Sequence, residues 1–142
     1  MPTSNLKHQA AERLQFVPRG KVLLVDEDVK DLDYYRAILQ EQGYQVRIFA
    51  SHAEALSNLE RESFDIVVVS QGGRGFEGRC VLECAMRIDR RTPVLVITRC
   101  LDMHCYLEAM QLGAVDYLEK PIASSELAHV IEAYRQPHSG KV

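Results

Sequence analysis

The chain has 142 residues, of which 46% are hydrophobic and 26% are charged, and its formal net charge is −3. This length and composition are those of one globular domain, and the small negative charge excludes a nucleic-acid-binding surface built on excess basic residues. No apolar run approaches the ~20 residues that a membrane-spanning helix needs, so we expect a cytoplasmic protein with no membrane or nucleic-acid partner.

The first 20 residues are predicted to be an N-terminal extension. Residues 5–16 have the apolar spacing of a short helix, which Pro18 and Gly20 would end. We expect the extension to be either a partner-binding segment or a plain tail. The predicted domain covers residues 21–136, and residues 137–142 are predicted to be a C-terminal tail.

Two strand–helix pairs are predicted in the first half of the domain. Residues 22–25 form a continuous apolar run, typical of a strand covered on both faces, whereas residues 45–49 alternate like a more exposed strand. Gly43 is well placed to end the first helix, and Ser51 and Glu54 form a capping box at the start of the second. Helical spacing predicts the inner faces of these helices: Leu32, Tyr35, Ile38, Leu39, Ala55 and Leu59.

Three further strands are predicted at residues 66–69, 94–97 and 116–118. The first of them is the most hydrophobic, so we expect it to lie at the centre of the sheet. Gly113 ends the helix before the last strand. The helices that follow the third and fifth strands show apolar residues at helical spacing: Val81, Leu82, Ala85, Ile88, Leu127, Val130, Ile131 and Tyr134.

Strictly alternating strands and helices predict an α/β fold. Its architecture is a doubly wound, five-stranded parallel sheet with right-handed crossovers and helices on both faces. The carboxyl ends of parallel strands meet along one crevice, where ligands bind. Polar groups follow four of the predicted strands at this edge: Asp26 and Glu27, Ser70, Thr98, and Lys120 before Pro121.

The order and spacing of these motifs resemble the receiver domain of bacterial two-component response regulators. The resemblance covers residues 21 to about 135. It implies the flavodoxin-like strand order 2-1-3-4-5 and a non-enzymatic role in phosphorelay signalling. The motifs that carry it are LLVDED at 23–28, QGY at 42–44, FDIVVV at 64–69, Gly78, PVLVIT at 93–98 and GAVDYLEKP at 113–121.

The resemblance also implies a role for each matched polar residue at the crevice. Asp26 and Glu27 match the acid pair that holds a magnesium ion, and Lys120 matches the lysine that contacts the phosphoryl group. An acid pair after a strand is also a common arrangement at a helix N-terminus, which it stabilises through the helix dipole. Asp26 and Glu27 are therefore open to this purely structural interpretation.

Two further matches concern conformational switching and backbone geometry. Thr98 matches the switch hydroxyl that contacts a bound phosphoryl oxygen, and Tyr117 matches the aromatic residue that swings inward or outward with it. The bond between Lys120 and Pro121 matches one that is usually cis in the family, which is a low-cost geometry before proline.

The sequence departs from the family at the phosphoacceptor position. Where the family has an aspartate at the end of the third strand, this chain has Ser70, and Gly78 excludes a simple shift of register. Asp65 lies five positions earlier, roughly 16 Å away at ~3.3 Å per residue, and cannot substitute. Gly73 and Arg74 stand where the family usually has a hydrophobic residue and proline. Arg99 replaces the small residue that normally follows the switch threonine, and we expect it to crowd the mouth of the crevice.

A serine at this position changes the chemistry of the crevice. A serine hydroxyl is a weak nucleophile without an adjacent base, and no histidine directly follows a neighbouring strand. Losing one of three carboxylates also weakens a magnesium site, so Asp26 and Glu27 are expected to bind magnesium weakly or not at all. We expect Lys120 to pair with Asp26 or Glu27 instead.

These observations predict a degenerate receiver that acts by protein–protein contact without phosphorylation. The surface of the fourth helix, fifth strand and fifth helix is its predicted contact face. The predicted partner is a histidine kinase, an output protein, another regulator or a second copy of the chain.

Two alternative functions stay open. One is a small-anion or nucleotide sensor, since the loop at 72–75 is glycine-rich and Arg74 and Arg99 add positive charge. The other is a redox-responsive variant that uses the four cysteines, Cys80, Cys84, Cys100 and Cys105. Their spacing is not that of a zinc finger.

Overall fold

The computed structural model describes residues 17–135. Within this range a five-stranded parallel sheet has the order β2-β1-β3-β4-β5, so the predicted fold and strand order are confirmed. The predicted helix at residues 5–16 and the predicted tail at 137–142 lie outside the described residues. The elements in chain order are β1 (Lys21–Val25), α1 (Val29–Glu41), β2 (Gln45–Phe49), α2 (His52–Leu59), β3 (Ile66–Ser70), α3 (Arg79–Ile88), β4 (Val94–Thr98), α4 (Met103–Leu112), β5 (Asp116–Glu119) and α5 (Ser124–Tyr134).

The helices cover both faces of the sheet and bury a separate apolar core on each. On one face, α1 and α5 pack against alternate residues of β1, β3 and β4, including Val22 and Val68. On the other face, α2, α3 and α4 pack against the intervening residues, including Leu23 and Val67. Burial of both faces explains why β1, β3 and β4 read as continuous apolar runs rather than alternating ones.

Local signals in the sequence set the helix boundaries. Ser51 caps α2 by accepting a hydrogen bond from the Glu54 amide at 3.2 Å, as the capping-box pattern predicts. Gly43 follows α1 and Gly113 ends α4, with φ angles of 98° and 111°. These left-handed conformations favour glycine, and both predicted helix ends are therefore confirmed.

Helical spacing predicted the buried faces well except near two helix ends. Val81, Leu82 and Ala85 are buried, but Ile88 is 53% exposed because it lies in the last turn of α3. Tyr134 is 41% exposed for the same reason in α5. Helical spacing identifies which side of a helix faces the sheet. It does not show how far along the helix the sheet extends.

The residues just before β1 contact the domain at the edge of the sheet opposite the carboxyl ends of the strands. The Arg19 amide donates to the Gly43 carbonyl at 2.9 Å, and the Arg19 guanidinium lies 2.6 Å from Glu132 of α5. Attachment of the chain to the domain therefore begins before Lys21, inside the predicted extension. None of the helices between residues 17 and 135 has the length and apolar content needed to cross a membrane.

Candidate functional site

The carboxyl ends of the central strands surround an open cleft of about 440 Å³. Ser70 ends β3 and Thr98 ends β4, while Glu27 and Lys120 reach the cleft from the segments after β1 and β5. Asp26 is fully buried beneath it. The structure therefore brings together these side chains, which the sequence predicted to meet at one edge of the sheet.

The remaining predicted residues lie at or behind the cleft. Arg74 and Arg99 are part of its lining, whereas Tyr117 packs behind it and Pro121 lies outside it. The Lys120–Pro121 peptide bond is cis, as the resemblance implies.

A buried ion pair fills the base of the cleft. Lys120 Nζ lies 2.6 Å from Asp26 Oδ2 and 2.8 Å from Asp31 Oδ2. Burial opposes the charge on Lys120, but its hydrogen bonds with the two carboxylates outweigh this effect and raise its pKa. Burial also raises the pKa of Asp26, and the bond from Lys120 offsets part of the rise. Lys120 therefore stays a cation whose charge is already neutralised by the protein.

Asp31 is a functional residue that the sequence reasoning missed. It lies in the first turn of α1, where it contacts both Lys120 and Arg99. Glu27, the predicted alternative partner of Lys120, forms no ion pair among residues 17–135. The prediction that Lys120 pairs with Asp26 or Glu27 is met by Asp26. The sequence did contain a signal for this contact, because Asp31 is an acidic residue in the first turn of α1, just after the residues of the crevice.

Arg99 lies across the mouth of the cleft, as expected for a bulky cation at this position. Its guanidinium contacts Asp28 Oδ2 at 2.7 Å and Asp31 Oδ2 at 2.8 Å. The hydrogen bond from Arg99 lowers the pKa of Asp28. Asp28 also caps α1 by accepting from the Lys30 and Asp31 amides. Arg99 is thus paired with carboxylates at the start of α1, and its charge is not free to bind a ligand anion.

The Ser70 side chain is buried and already hydrogen-bonded. Its Oγ accepts from the Gly72 amide at 3.2 Å, and among residues 17–135 it forms no hydrogen bond with a basic side chain. His52 Nε2 lies 3.0 Å from the Ser70 carbonyl oxygen, so this histidine contacts the backbone and not the hydroxyl. The sequence reasoning missed His52 because it lies on α2, away from the neighbouring strand ends.

The glycine-rich loop contains an anion supplied by the chain itself. Glu77 Oε1 accepts from the Gly73 amide at 2.6 Å, and a methyl group on Gly72 would overlap this oxygen. The hydrogen bond from Gly73 lowers the pKa of Glu77. The Gly73 amide, predicted to help cradle an external anion, is therefore occupied by Glu77.

Thr98 and Tyr117 are both engaged in hydrogen bonds. Thr98 Oγ1 donates to the Cys100 carbonyl at 2.9 Å and accepts from the Cys100 amide at 3.1 Å. Tyr117 is buried, and its hydroxyl contacts the Gln71 side chain and the Asp102 amide. Its ring meets the Tyr106 ring edge-on, with the ring centres 5.5 Å apart. The aromatic residue predicted to switch therefore points inward in this structure.

Comparison with known proteins decides the family. The family model described as response regulator receiver domain matches residues 22–132.

The chain belongs to this family.

Curated relatives and solved structures agree with this assignment. Transcriptional regulatory protein ZraR of Salmonella typhimurium is 30% identical over 116 residues, which are 80% of this chain and 26% of ZraR. A CheY-like receiver domain protein from Methanospirillum hungatei is 27% identical, with a TM-score of 0.75, and 80% of this chain aligns with 90% of that chain. Full-length FixJ from B. japonicum is 30% identical, with a TM-score of 0.73, and 83% of this chain aligns with 58% of FixJ. This receiver domain thus spans about a quarter of the length of ZraR.

The carboxylates of this receiver domain do not fit the magnesium ion that the family implies. Asp26 is buried and bound to Lys120, Glu27 is the remaining member of the acid pair, and Ser70 supplies a neutral hydroxyl already bonded to Gly72. Magnesium requires near-octahedral oxygen ligands and carboxylate charge. Within residues 17–135, no group of three or more His, Cys, Asp or Glu side chains is arranged to hold a metal ion.

The four cysteines of the receiver domain are free thiols. Cys84 and Cys105 are buried, and burial raises the pKa of both thiols. Cys80 and Cys100 are exposed and lie in different parts of the fold, at the start of α3 and before α4. A raised pKa makes a thiol less reactive, so Cys84 and Cys105 are poorly suited to a redox role.

Helix α4 exposes an apolar stripe to solvent. Its members lie at spacings of three and four residues on one side of the helix, and they are Met103, Tyr106, Leu107 and Met110. The inward side of the same helix carries the smaller buried residues Cys105 and Ala109. The only acidic or basic residue on α4 other than His104 is Glu108, which pairs with Arg79 of α3. The α4 stripe therefore carries no charged residue of its own.

Proposed function

We propose that this chain is an atypical receiver domain that works without phosphorylation at position 70 and acts by protein–protein contact. The observation that supports this proposal most strongly is the state of the Ser70 hydroxyl. It is buried, it accepts a hydrogen bond from Gly72, and no basic side chain among residues 17–135 is hydrogen-bonded to it. An alcohol in this state is a poor nucleophile toward a phosphorylated donor.

The charges around Ser70 support the same proposal. A receiver that accepts a phosphoryl group needs a cation free to contact the new oxygens. Here Lys120 is held by Asp26 and Asp31, and Arg99 by Asp28 and Asp31. An incoming phosphoryl group would have to break buried charge-assisted bonds before gaining any of its own, which raises the cost of the phosphorylated state.

The proposed partner is a protein with an apolar contact surface, such as a histidine kinase, an output protein or another regulator. The α4 stripe supports this part of the proposal because it exposes four large apolar side chains without a charge among them. Exposed apolar patches of this kind mark contact sites, and their chemistry is matched by apolar side chains. A second copy of the chain is the competing occupant, which a measurement of oligomeric state separates from the first.

The alternative of an anion or nucleotide sensor has one supporting observation. Arg74 lines the cleft and forms no ion pair among the described residues. Against it, Glu77 occupies the Gly73 amide, and Arg99 is bound to Asp28 and Asp31. The cleft also includes Glu27, whose carboxylate repels anions. We therefore favour the protein-binding function.

Incubation with acetyl phosphate and magnesium, followed by intact mass spectrometry, tests the proposal. The wild-type chain is expected to gain no phosphoryl adduct. The Ser70→Asp variant is the matched control, since it restores a carboxylate at the end of β3, and we expect it to gain an adduct that hydroxylamine removes. An adduct mapped to Ser70 or to any cleft residue of the wild-type chain would overturn the proposal.

A further inference from the structure

Gln71 is a buried amide side chain that the proposed function does not use. It directly follows Ser70 and is only 2% exposed. Its Nε2 donates to the Gly73 carbonyl at 3.2 Å, and its Oε1 accepts from the Tyr117 hydroxyl on β5. A buried amide is costly unless its groups are hydrogen-bonded, so both contacts are needed to keep Gln71 in this position.

The direction of each hydrogen bond follows from donor and acceptor chemistry. The Asp102 amide lies 3.2 Å from the Tyr117 oxygen and can only donate, so the hydroxyl accepts there. The single hydroxyl hydrogen then goes to Gln71 Oε1, which lies nearer than the other available acceptor, the Asp102 carbonyl oxygen at 3.4 Å. Burial raises the pKa of Tyr117, and the hydrogen bond from the Asp102 backbone offsets part of the rise. The net rise keeps the hydroxyl protonated and able to donate.

Thr98 does not hold Tyr117 in its inward position as Gln71 does. Its hydroxyl hydrogen is directed at the Cys100 carbonyl, and its oxygen accepts from the Cys100 amide. A threonine hydroxyl has one hydrogen to donate, and here it goes to Cys100, so among residues 17–135 Thr98 forms no hydrogen bond with Tyr117. The inward position of Tyr117 therefore depends on Gln71 more than on Thr98.

The two contacts of the Tyr117 hydroxyl join two loops of the cleft. Gln71 opens the loop after β3, and Asp102 is the N-cap of α4, where it also accepts from the Cys105 amide at 3.0 Å. Tyr117 lies between them, and its ring packs against Tyr106 of the α4 stripe. A change at the end of β3 can thus reach the start of α4 through two hydrogen bonds.

We propose that Gln71 is a positioning residue that latches Tyr117 inward and so fixes the loop before α4, whatever side chain stands at position 70. This inference goes beyond the proposed function because it concerns the chain alone. Its test needs neither a partner nor a phosphoryl donor, so either proposal can fail while the other stands.

The test uses the full chain with ¹³C-labelled tyrosine rings, observed by NMR. Tyr117→Phe assigns the Tyr117 ring signal among those of the six tyrosines. In Gln71→Met, which removes both hydrogen bonds at nearly constant volume, the Tyr117 signal is expected to move toward that of an exposed tyrosine. In Thr98→Val, the matched control, it is expected to stay at the wild-type position.

Hydrogen exchange at the Asp102 amide supplies a second measurement. Loss of a hydrogen bond worth about 1 kcal/mol raises exchange by roughly fivefold, so Gln71→Met and Tyr117→Phe are both expected to raise the rate by about this factor. Should Gln71→Met fail to fold, Gln71→Asn replaces it, because its shorter amide no longer reaches Tyr117.

Two results would overturn the latch. One is a destabilised Gln71 variant whose Tyr117 signal and Asp102 exchange equal those of the wild-type chain, which would make Gln71 a purely structural residue. The other is a Thr98→Val variant that moves the Tyr117 signal as far as Gln71→Met does.

Discussion

Lys120 Nζ lies 2.6 Å from Asp26 Oδ2, and both side chains are almost completely removed from solvent. The ion pair spans 94 residues of sequence and joins the ends of the first and last strands of the fold. Asp31 adds a second carboxylate from α1. In this receiver domain Lys120 thus neutralises two carboxylates of the protein itself.

Replacing Lys120 with methionine is expected to destabilise the domain strongly. The change leaves the buried Asp26 carboxylate without its cation, with only the hydrogen bond from the Asp28 amide, and breaking a buried pair in this way costs about 3–5 kcal/mol. Arg99→Met removes a cation from the same Asp31 carboxylate but at an exposed site, so its expected cost is much smaller. Urea unfolding of the three proteins measures both values. Equal losses in the two variants would contradict a structural role for Lys120.

Magnesium is expected to bind the wild-type chain weakly or not at all, and Ser70→Asp is expected to strengthen binding. The added carboxylate supplies a further oxygen ligand and negative charge beside Asp26 and Glu27. Isothermal titration with magnesium chloride compares the two proteins. The control is Ser70→Asn, which has a similar size but no charge and is expected to behave like the wild type. Tight binding by the wild-type chain would be evidence against the charge argument.

Gly78→Ala is expected to destabilise the fold, whereas Gly73→Ala is expected to have little effect. A methyl group on Gly78 would overlap the carbonyl oxygen of Ser70, and backbone atoms cannot move aside cheaply. Overpacking of this kind costs roughly 1–3 kcal/mol. A methyl group on Gly73 would meet only the Glu77 carboxylate at an ordinary distance of 3.6 Å. Thermal unfolding of both variants measures the difference, and similar melting temperatures would refute it.

Glu77→Gln is expected to lower stability at neutral pH but not in acid. The pKa of Glu77 is lowered in the folded state by its bond from the Gly73 amide. A lowered pKa stabilises the fold above the usual glutamate pKa of 4.5, and this contribution disappears as the pH falls through the folded value. Melting curves of wild type and Glu77→Gln should therefore differ at pH 7 and converge in acid. A difference that is constant with pH would show that Glu77 does not act through its charge.

Leu107→Lys is expected to abolish partner binding, because it places a charge in the middle of the α4 stripe. Leu107 is 51% exposed and Ile88 is 53% exposed, so Ile88→Lys is a matched control at the end of α3. Pull-down from the native host, read by quantitative mass spectrometry, compares these variants with wild type and Ser70→Ala. The expected partner is retained by wild type, Ile88→Lys and Ser70→Ala, and is lost from Leu107→Lys.

A measurement of the oligomeric state tests whether the α4 stripe binds a second copy of this chain instead of another protein. If Leu107→Lys instead converts a dimer into a monomer in sedimentation, and no protein is captured selectively, the stripe binds a second copy of this chain. Retention of the same partner by Leu107→Lys would place the contact surface elsewhere on the domain.

The sheet and the meeting of its strand ends followed from the sequence because both depend on local patterns. Apolar runs of strand length identify strands covered on two faces, and parallel connections place their carboxyl ends together. Ser70, Thr98 and Lys120 could therefore be assigned to one cleft from their positions alone. The helix ends at Gly43 and Gly113 were equally local, since each depends on one residue with a positive φ angle.

The hydrogen-bond partners of these side chains could not be predicted in the same way. Whether Lys120 meets Glu27 or Asp31 depends on how α1 starts relative to β5, a tertiary relationship that no spacing in the sequence records. Glu77 turns back into the loop at residues 72–75 because of its backbone path. Gln71 looked like an ordinary polar residue after a strand, and only the structure shows it beneath Tyr117.

Helix α4 places its smaller apolar side chains inward and its larger ones outward, and this has a consequence for local stability. Detaching α4 from the sheet exposes little additional apolar surface, so the free energy of local unfolding is lower for α4 than for α1. Helix α1 buries the larger side chains Leu32, Tyr35 and Leu39. We expect α4 to be the first helix to fray when the domain is warmed. A partner that covers its outer side would then slow that fraying, and protection of α4 against proteolysis would report occupancy.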